Sequence, residues 1–358
     1  MRAVATVSFL ALTALLTATC ARPPKTNPVA EGEGEGGGGA PQCDADGVTL
    51  PTPLDDLGNP VAAVLPAGGQ IDLSCIGAPP VLAQSAAVRV QGCIDIFGLG
   101  SLVKGGITVS VFSDGQNPGT EEPEFGEVEV AIDTDAADFD CVAADENEPA
   151  CLALSCDAKG AYAIEGIPVH VPLTMKVSKT GDTTVIDTYS YGIVFDYQDN
   201  VAVDGVVTYG ANLIYQSTWG SIPTLAGRQI DGGTSVGDGE GRAVIAGEIH
   251  DCNDKLVQGA SVTTSLLDLT TKVTYFNGNA SDPSPKLTAL STNTDGLYVV
   301  LNANTAPGSD VHVISAGILE PGCTGDQCSC VSLGSRTIRV FPDSVSVVTL
   351  RGDFPTVQ

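Results

Sequence analysis

The chain has 358 residues, with 43 Asp and Glu against 16 Lys and Arg, a formal charge of −27. That balance excludes a nucleic-acid partner, since little here can release counterions from phosphates, and it argues equally against electrostatic attachment to anionic lipid. At 43% hydrophobic residues the chain can bury real cores, and its length allows two or three domains.

Met1-Arg2 and the apolar run "AVATVSFLALTALLTA" read as a secretory signal over residues 1–19. No later stretch approaches the roughly 18 apolar residues that a membrane-spanning helix needs. Cys20 ends the apolar run directly after Thr17, Ala18 and Thr19. This arrangement resembles the lipobox of bacterial lipoproteins. The resemblance implies a lipid on Cys20, a membrane partner through that anchor, and a place in the cell envelope at the outer membrane. The alternative is a plain secretory signal cut near Ala21, which discards Cys20. Residues 20–42 hold Pro, Gly and Glu with no apolar period, a composition that cannot offset the entropy of ordering. As a flexible tether they would reach about 25 Å from an anchor.

Removing Cys20 leaves an even set of cysteines: Cys43 and Cys75; Cys93, Cys141, Cys151 and Cys156; Cys252, Cys323, Cys328 and Cys330. In an exported chain these read as disulfides closed within modules. Cys328 and Cys330 stand too close in sequence to bond each other comfortably. The expected pairs are Cys323–Cys328, Cys252–Cys330, Cys141–Cys151, Cys93–Cys156 and Cys43–Cys75.

Residues 43–85 are turn-rich and read as a short segment packed on the first of two repeats. The first repeat, 86–204, opens "VRVQGCIDIFGLGSLVKGGITVSVF"; the second, 243–355, opens "AVIAGEIHDCNDKLVQGASVTTSLL". Each later shows Gly-x-Tyr followed by alternating apolar residues and a Val-His-Val strand. Period-2 alternation between Gly, Pro, Asn and Asp clusters is the strand signature, and short strands at this spacing predict β-sandwiches. Between them, residues 205–242 read as an interdomain helix or strap, with Val207, Ala211 and Ile214 at helical spacing, and then a Gly/Asp linker.

These residues resemble the carboxypeptidase regulatory-like domain, a prealbumin-like (transthyretin-like) β-sandwich. The second repeat carries Gly247, Asp251, Gly259-Ala260-Ser261-Val262 and Asp295-Gly296-Leu297-Tyr298. The first carries Gly92, Asp95, Gly106-Ile107-Thr108-Val109 and Lys159-Gly160-Ala161-Tyr162. The resemblance implies an all-β chain of two tandem prealbumin-like or Ig-like sandwiches, and it says almost nothing of function.

Catalytic patterns find no setting. A zinc carboxypeptidase site needs His-x-x-Glu, and none of His170, His250 and His312 has Glu three residues on. His170 and His312 read instead as half-exposed strand residues. "GTSVG" around Ser235 lies in a Gly-rich linker, where a nucleophile elbow needs a strand before it and a helix after. Arg351-Gly352-Asp353 spells an adhesion tripeptide that chance also supplies. The acidic insert 133–151 contains Asp133, Asp135, Asp138 and Asp140, weak calcium candidates whose spacing departs from the EF-hand loop. The expectation is a non-catalytic envelope lipoprotein with a binding or scaffolding role toward an envelope or extracellular ligand, with no cofactor. The alternatives are a calcium-dependent adhesion or carbohydrate-binding module, and a hydrolase using carboxylates of that insert.

Overall fold

A computed structural model describes residues 43–45, 48–97, 105–130, 156, 160–198, 200–227, 230, 241–279, 284–322 and 330–357. Strands β1 (Cys43–Ala45) and β2 (Val48–Leu50) form an antiparallel ribbon, and β3 (Val81–Leu82) pairs with the last strand of the chain. The first repeat supplies β4 (Val88–Phe97), β5 (Thr108–Ser113), β6 (Glu127–Glu129), β7 (Ala161–Ile167) and β8 (Leu173–Ser178). It continues with β9 (Val185–Ile186) and β10 (Thr188–Ile193), and the segment expected to lie between the repeats adds β11 (Val206–Thr208) and β12 (Ala211–Tyr215) to its sheet beside β4. Helix α1 (Gln216–Leu225) follows. The second repeat supplies β13 (Ala243–Glu248), β14 (Ala260–Thr264), β15 (Lys272–Phe276) and β16 (Pro285–Lys286). Then come β17 (Leu297–Ala303), β18 (Val311–Leu319), β19 (Cys330–Arg339), β20 (Val345–Val348) and the closing β21 (Thr356–Val357). The chain is all-β in class.

Both repeats use one pairing scheme. Strand β4 lies antiparallel to β7 and parallel to β11 and β12; β13 lies antiparallel to β17 and parallel to β20. The facing layers are β5–β8–β10 and β14–β18–β19, all antiparallel. Alternate residues fill one core per repeat, with Val90, Ile94, Val109, Met175 and Leu213 in the first, and Ile245, Tyr298, Val300, Ile314 and Leu333 in the second.

The Gly and Tyr of the repeated pattern are one device. Gly247 stands directly across from Tyr298, and Gly92 from Tyr162. Because glycine has no Cβ, each phenol lies over it, and the hydroxyl donates to a carbonyl on the parallel neighbour. Tyr298 reaches Val348 O at 2.8 Å and Tyr162 reaches Tyr209 O at 2.8 Å. Asp295-Gly296 makes the turn before β17, with Gly296 at φ 62° and the Asp295 carboxylate accepting from Leu297 N and Gly278 N.

The repeats are not separate bodies. Strand β10 of the first pairs in parallel with β20 of the second, Thr188 to Val345 through Tyr191 to Val348. One nine-stranded sheet therefore runs β16-β15-β17-β13-β20-β10-β8-β5-β6. Tyr189 and Tyr191 of β10 bury their rings in the second repeat's core. Burying each ring contributes on the order of 2 kcal/mol to the junction.

Several expectations are corrected. The segment 43–85, expected on the first repeat, seats mainly on the second, since the Cys75–Cys252 disulfide joins it there and Ala63 and Ile71 enter that core; Ala83 meets the first repeat, through His170. That bond replaces both Cys43–Cys75 and Cys252–Cys330, while Cys93 bonds Cys156 within the first repeat. Cys330, in β19, is also disulfide-bonded. Cys20, Cys141, Cys151, Cys323 and Cys328 lie outside the described residues, as do Ser235, Lys159 and the 231–240 linker. The helical spacing of Val207, Ala211 and Ile214 comes from two successive strands pairing with β4; the helix starts only at Gln216. Asp95 lies within β4 and not in a turn.

Candidate binding site

Between the repeats lies a third apolar layer. Residues 211–215 alternate, with Ala211, Leu213 and Tyr215 facing the first core and Ile214 facing this layer. Here Ile214 meets Trp219 of α1 and Val244, Phe276, Val299 and Leu301 of the second repeat. Helix α1 has no side-chain N-cap and contains Pro223, so packing holds it more than propensity does. Lys272 Nζ donates to Ala226 O at 2.6 Å just past its last turn, where a cation suits the helix dipole.

The layer is not filled. A cavity of about 400 Å³ opens within it, walled by Phe97, Trp219, Ile222, Phe276 and Leu301. That volume lies within the range of small-molecule sites. Polar groups gather at the other end, where Asp95, Asn212 and Glu248 also line the space. Burial pushes the Tyr209 phenol up to about 12; Arg351 opposes the rise, and Asp95 and Glu248 add to it. Both carboxylates therefore act on one hydroxyl at this end. The Asn212 amide donates to Ser190 Oγ at 3.1 Å.

Behind Glu248 stands a charged network. His250 Nε2 lies 2.9 Å from Glu248 Oε2, and its Nδ1 lies 2.8 Å from Asp254 Oδ1. Arg351 lies 2.8 Å from the same Asp254 oxygen and donates to Gln198 Oε1 at 2.9 Å. The Gln198 amide in turn donates to the carbonyl of the disulfide residue Cys252 at 3.0 Å. Burial alone would lower the His250 pKa, but the Asp254 and Glu248 carboxylates outweigh it and push it up to about 9. At neutral pH the ring is an imidazolium that has no lone pair to act as a base.

A stability effect follows. The folded pKa is above the ordinary value near 6.5, so the contribution is complete below that value and is lost as pH rises through about 9. Denaturant titrations should lose a few kcal/mol between pH 7 and 10. His250→Gln should be weaker at pH 7 and lack that component of the decline. Parallel pH profiles for the two proteins would remove the assignment.

The other histidines are buried. His170 occupies a turn at φ 63°, with its ring nitrogens 2.9 Å from Ala83 O and 3.0 Å from Asp196 O. His312 is 0% exposed and lies between Thr264 Oγ1 and Asn304 O, each at 2.9 Å. Backbone carbonyls supply three of these four partners, which the half-exposed expectation did not foresee. Arg351 and Asp353 are both engaged, Arg351 as above and Asp353 Oδ2 accepting from Gly77 N at 2.6 Å, so the tripeptide is not presented as a free ligand. The Asp133, Asp135, Asp138 and Asp140 candidates lie outside the described residues. Among the described residues no group of three or more His, Cys, Asp and Glu is placed to hold a metal ion.

The cavity itself escaped sequence reading, although the lone Trp219 beside Ile222-Pro223 marked one of its walls. No family model matches the chain, and no curated protein matches it.

Proposed function

We propose that this protein is an exported, lipid-anchored binding protein of a bacterial cell envelope, holding a small ligand between its two repeats and carrying out no reaction on it. The observation that carries this reading is the apolar cavity at the junction, fixed by a continuous sheet on one side and helix α1 on another. The charged His250, held by two carboxylates, supports binding over general-base chemistry. The Cys75–Cys252 and Cys93–Cys156 disulfides fit an oxidising compartment. Among the described residues no helix is long and apolar enough to cross a membrane; in this reading attachment comes from lipid on Cys20. The Gly–Tyr device in both repeats supports their assignment as carboxypeptidase regulatory-like sandwiches.

The anchor has a direct test. Mass spectrometry of the mature chain should find a lipid-modified Cys20 at its N-terminus, and Cys20→Ser should move the protein from membrane to soluble fractions. An unmodified N-terminus beyond residue 20 would remove the anchor from the reading.

A further inference from the structure

The cavity has two unlike ends, and that difference selects a ligand. Aromatic and aliphatic side chains, Phe97, Trp219, Phe276 and Leu301, wall one end. An apolar body of small-molecule size gains from leaving water there. At the polar end the described charges do not cancel. Glu248 is offset by His250, and Asp254 by Arg351, which leaves the exposed carboxylate of Asp95 in excess. The chain's charge of −27 adds a field of the same sign. An anionic amphiphile such as a fatty acid would bring like charge to Asp95. A cation meets opposite charge at the mouth and apolar surface within.

We propose that the junction cavity binds an amphiphilic amine, with its hydrocarbon part against Trp219 and Phe276 and its protonated nitrogen beside Asp95 and Glu248. The proposal rests on the reading of the cavity as a binding site and names the chemical class it takes. Geometry fixes the orientation: β4 and β12 run parallel, so Asp95 and Asn212 lie at one end, and Phe97 and Ile214 two residues further toward the helix. Across the space, Glu248 and Leu297 pair at one end of β13 while Val244 and Leu301 pair at the other. The carboxylates of both repeats thus converge away from the helix.

The sole tryptophan lies in the cavity wall, so the protein carries its own reporter. The test uses the full chain exported as Cys20→Ser and titrates octylamine, 1-octanol and octanoate while following Trp219 emission and the heat of binding. Octylamine should bind about tenfold more tightly than octanol, with octanoate weaker again by a similar factor. Asp95→Asn, at an exposed position, should remove the preference for the amine and leave octanol binding in place. Ala246→Phe and Val299→Phe each project a ring into the space and should abolish binding of all three, with cooperative unfolding confirming that the variants fold. Equal binding of amine and octanoate, or an amine preference that survives Asp95→Asn, overturns the ligand class while leaving the cavity as a site. Failure of all three probes to bind, or binding undiminished in both filled variants, overturns the site itself.

Discussion

Replacing Gly247 with Ala is expected to cost more than about 4 kcal/mol or to prevent folding, at the far end of what single substitutions do. Gly247 lies between Tyr298 on β17 and Val348 on β20. A methyl built there stands 2.6 Å from the Val348 carbonyl carbon, closer still to its oxygen, and 3.1 Å from the Tyr298 hydroxyl. Relief requires moving a backbone carbonyl in a central strand or a tyrosine that is 0% exposed. Neither yields cheaply in a close-packed interior. Gly92 is in the same position in the first repeat, where the added methyl meets the Tyr209 carbonyl carbon at 2.7 Å, and Gly92→Ala should behave alike. Tyr298→Phe separates the two parts of the device. It keeps the ring but strips Val348 O of its donor, which should cost about 1–3 kcal/mol. Urea denaturation of the three variants gives the ranking; a Gly247→Ala protein within 1 kcal/mol of the parent would refute the close approach.

Much of the fold was legible because its signals are local. Alternation marked most long strands, and the recurring Gly and Gly-x-Tyr patterns marked both repeats, although the glycine and tyrosine that face each other stand on strands with others between them in the chain. What the sequence hid was non-local. The β10–β20 pairing joins residues near 190 to residues near 346, and a parallel pairing of that separation leaves no turn to announce it. Val207, Ala211 and Ile214 imitated a helix because Tyr209-Gly210 interrupts two strands whose register against β4 is otherwise continuous. Cys75 gave no sign of its partner: Asp251, buried in the turn before Cys252, accepts from Asp72 N at 3.0 Å and so brings the two cysteines together across the fold. The cavity was least legible, because its walls come from β4, β12, α1 and four strands of the second repeat.

The second large effect concerns that junction. Ser346 is 0% exposed and lies in β20 between Tyr189 of β10 and Ile245 of β13. Proline there removes a ladder donor and crowds a strand paired on both sides, which should cost about 3 kcal/mol or more. Where the damage is felt depends on whether the repeats form one body. If they do, both lose stability together; if they were independent sandwiches, the first would not register a change in the second. Scanning calorimetry of the disulfide-intact chain is the most direct measurement. A single transition is expected for the parent and a single transition about 5 °C lower for Ser346→Pro. Two resolved transitions in the parent, with one unmoved by Ser346→Pro, would contradict it.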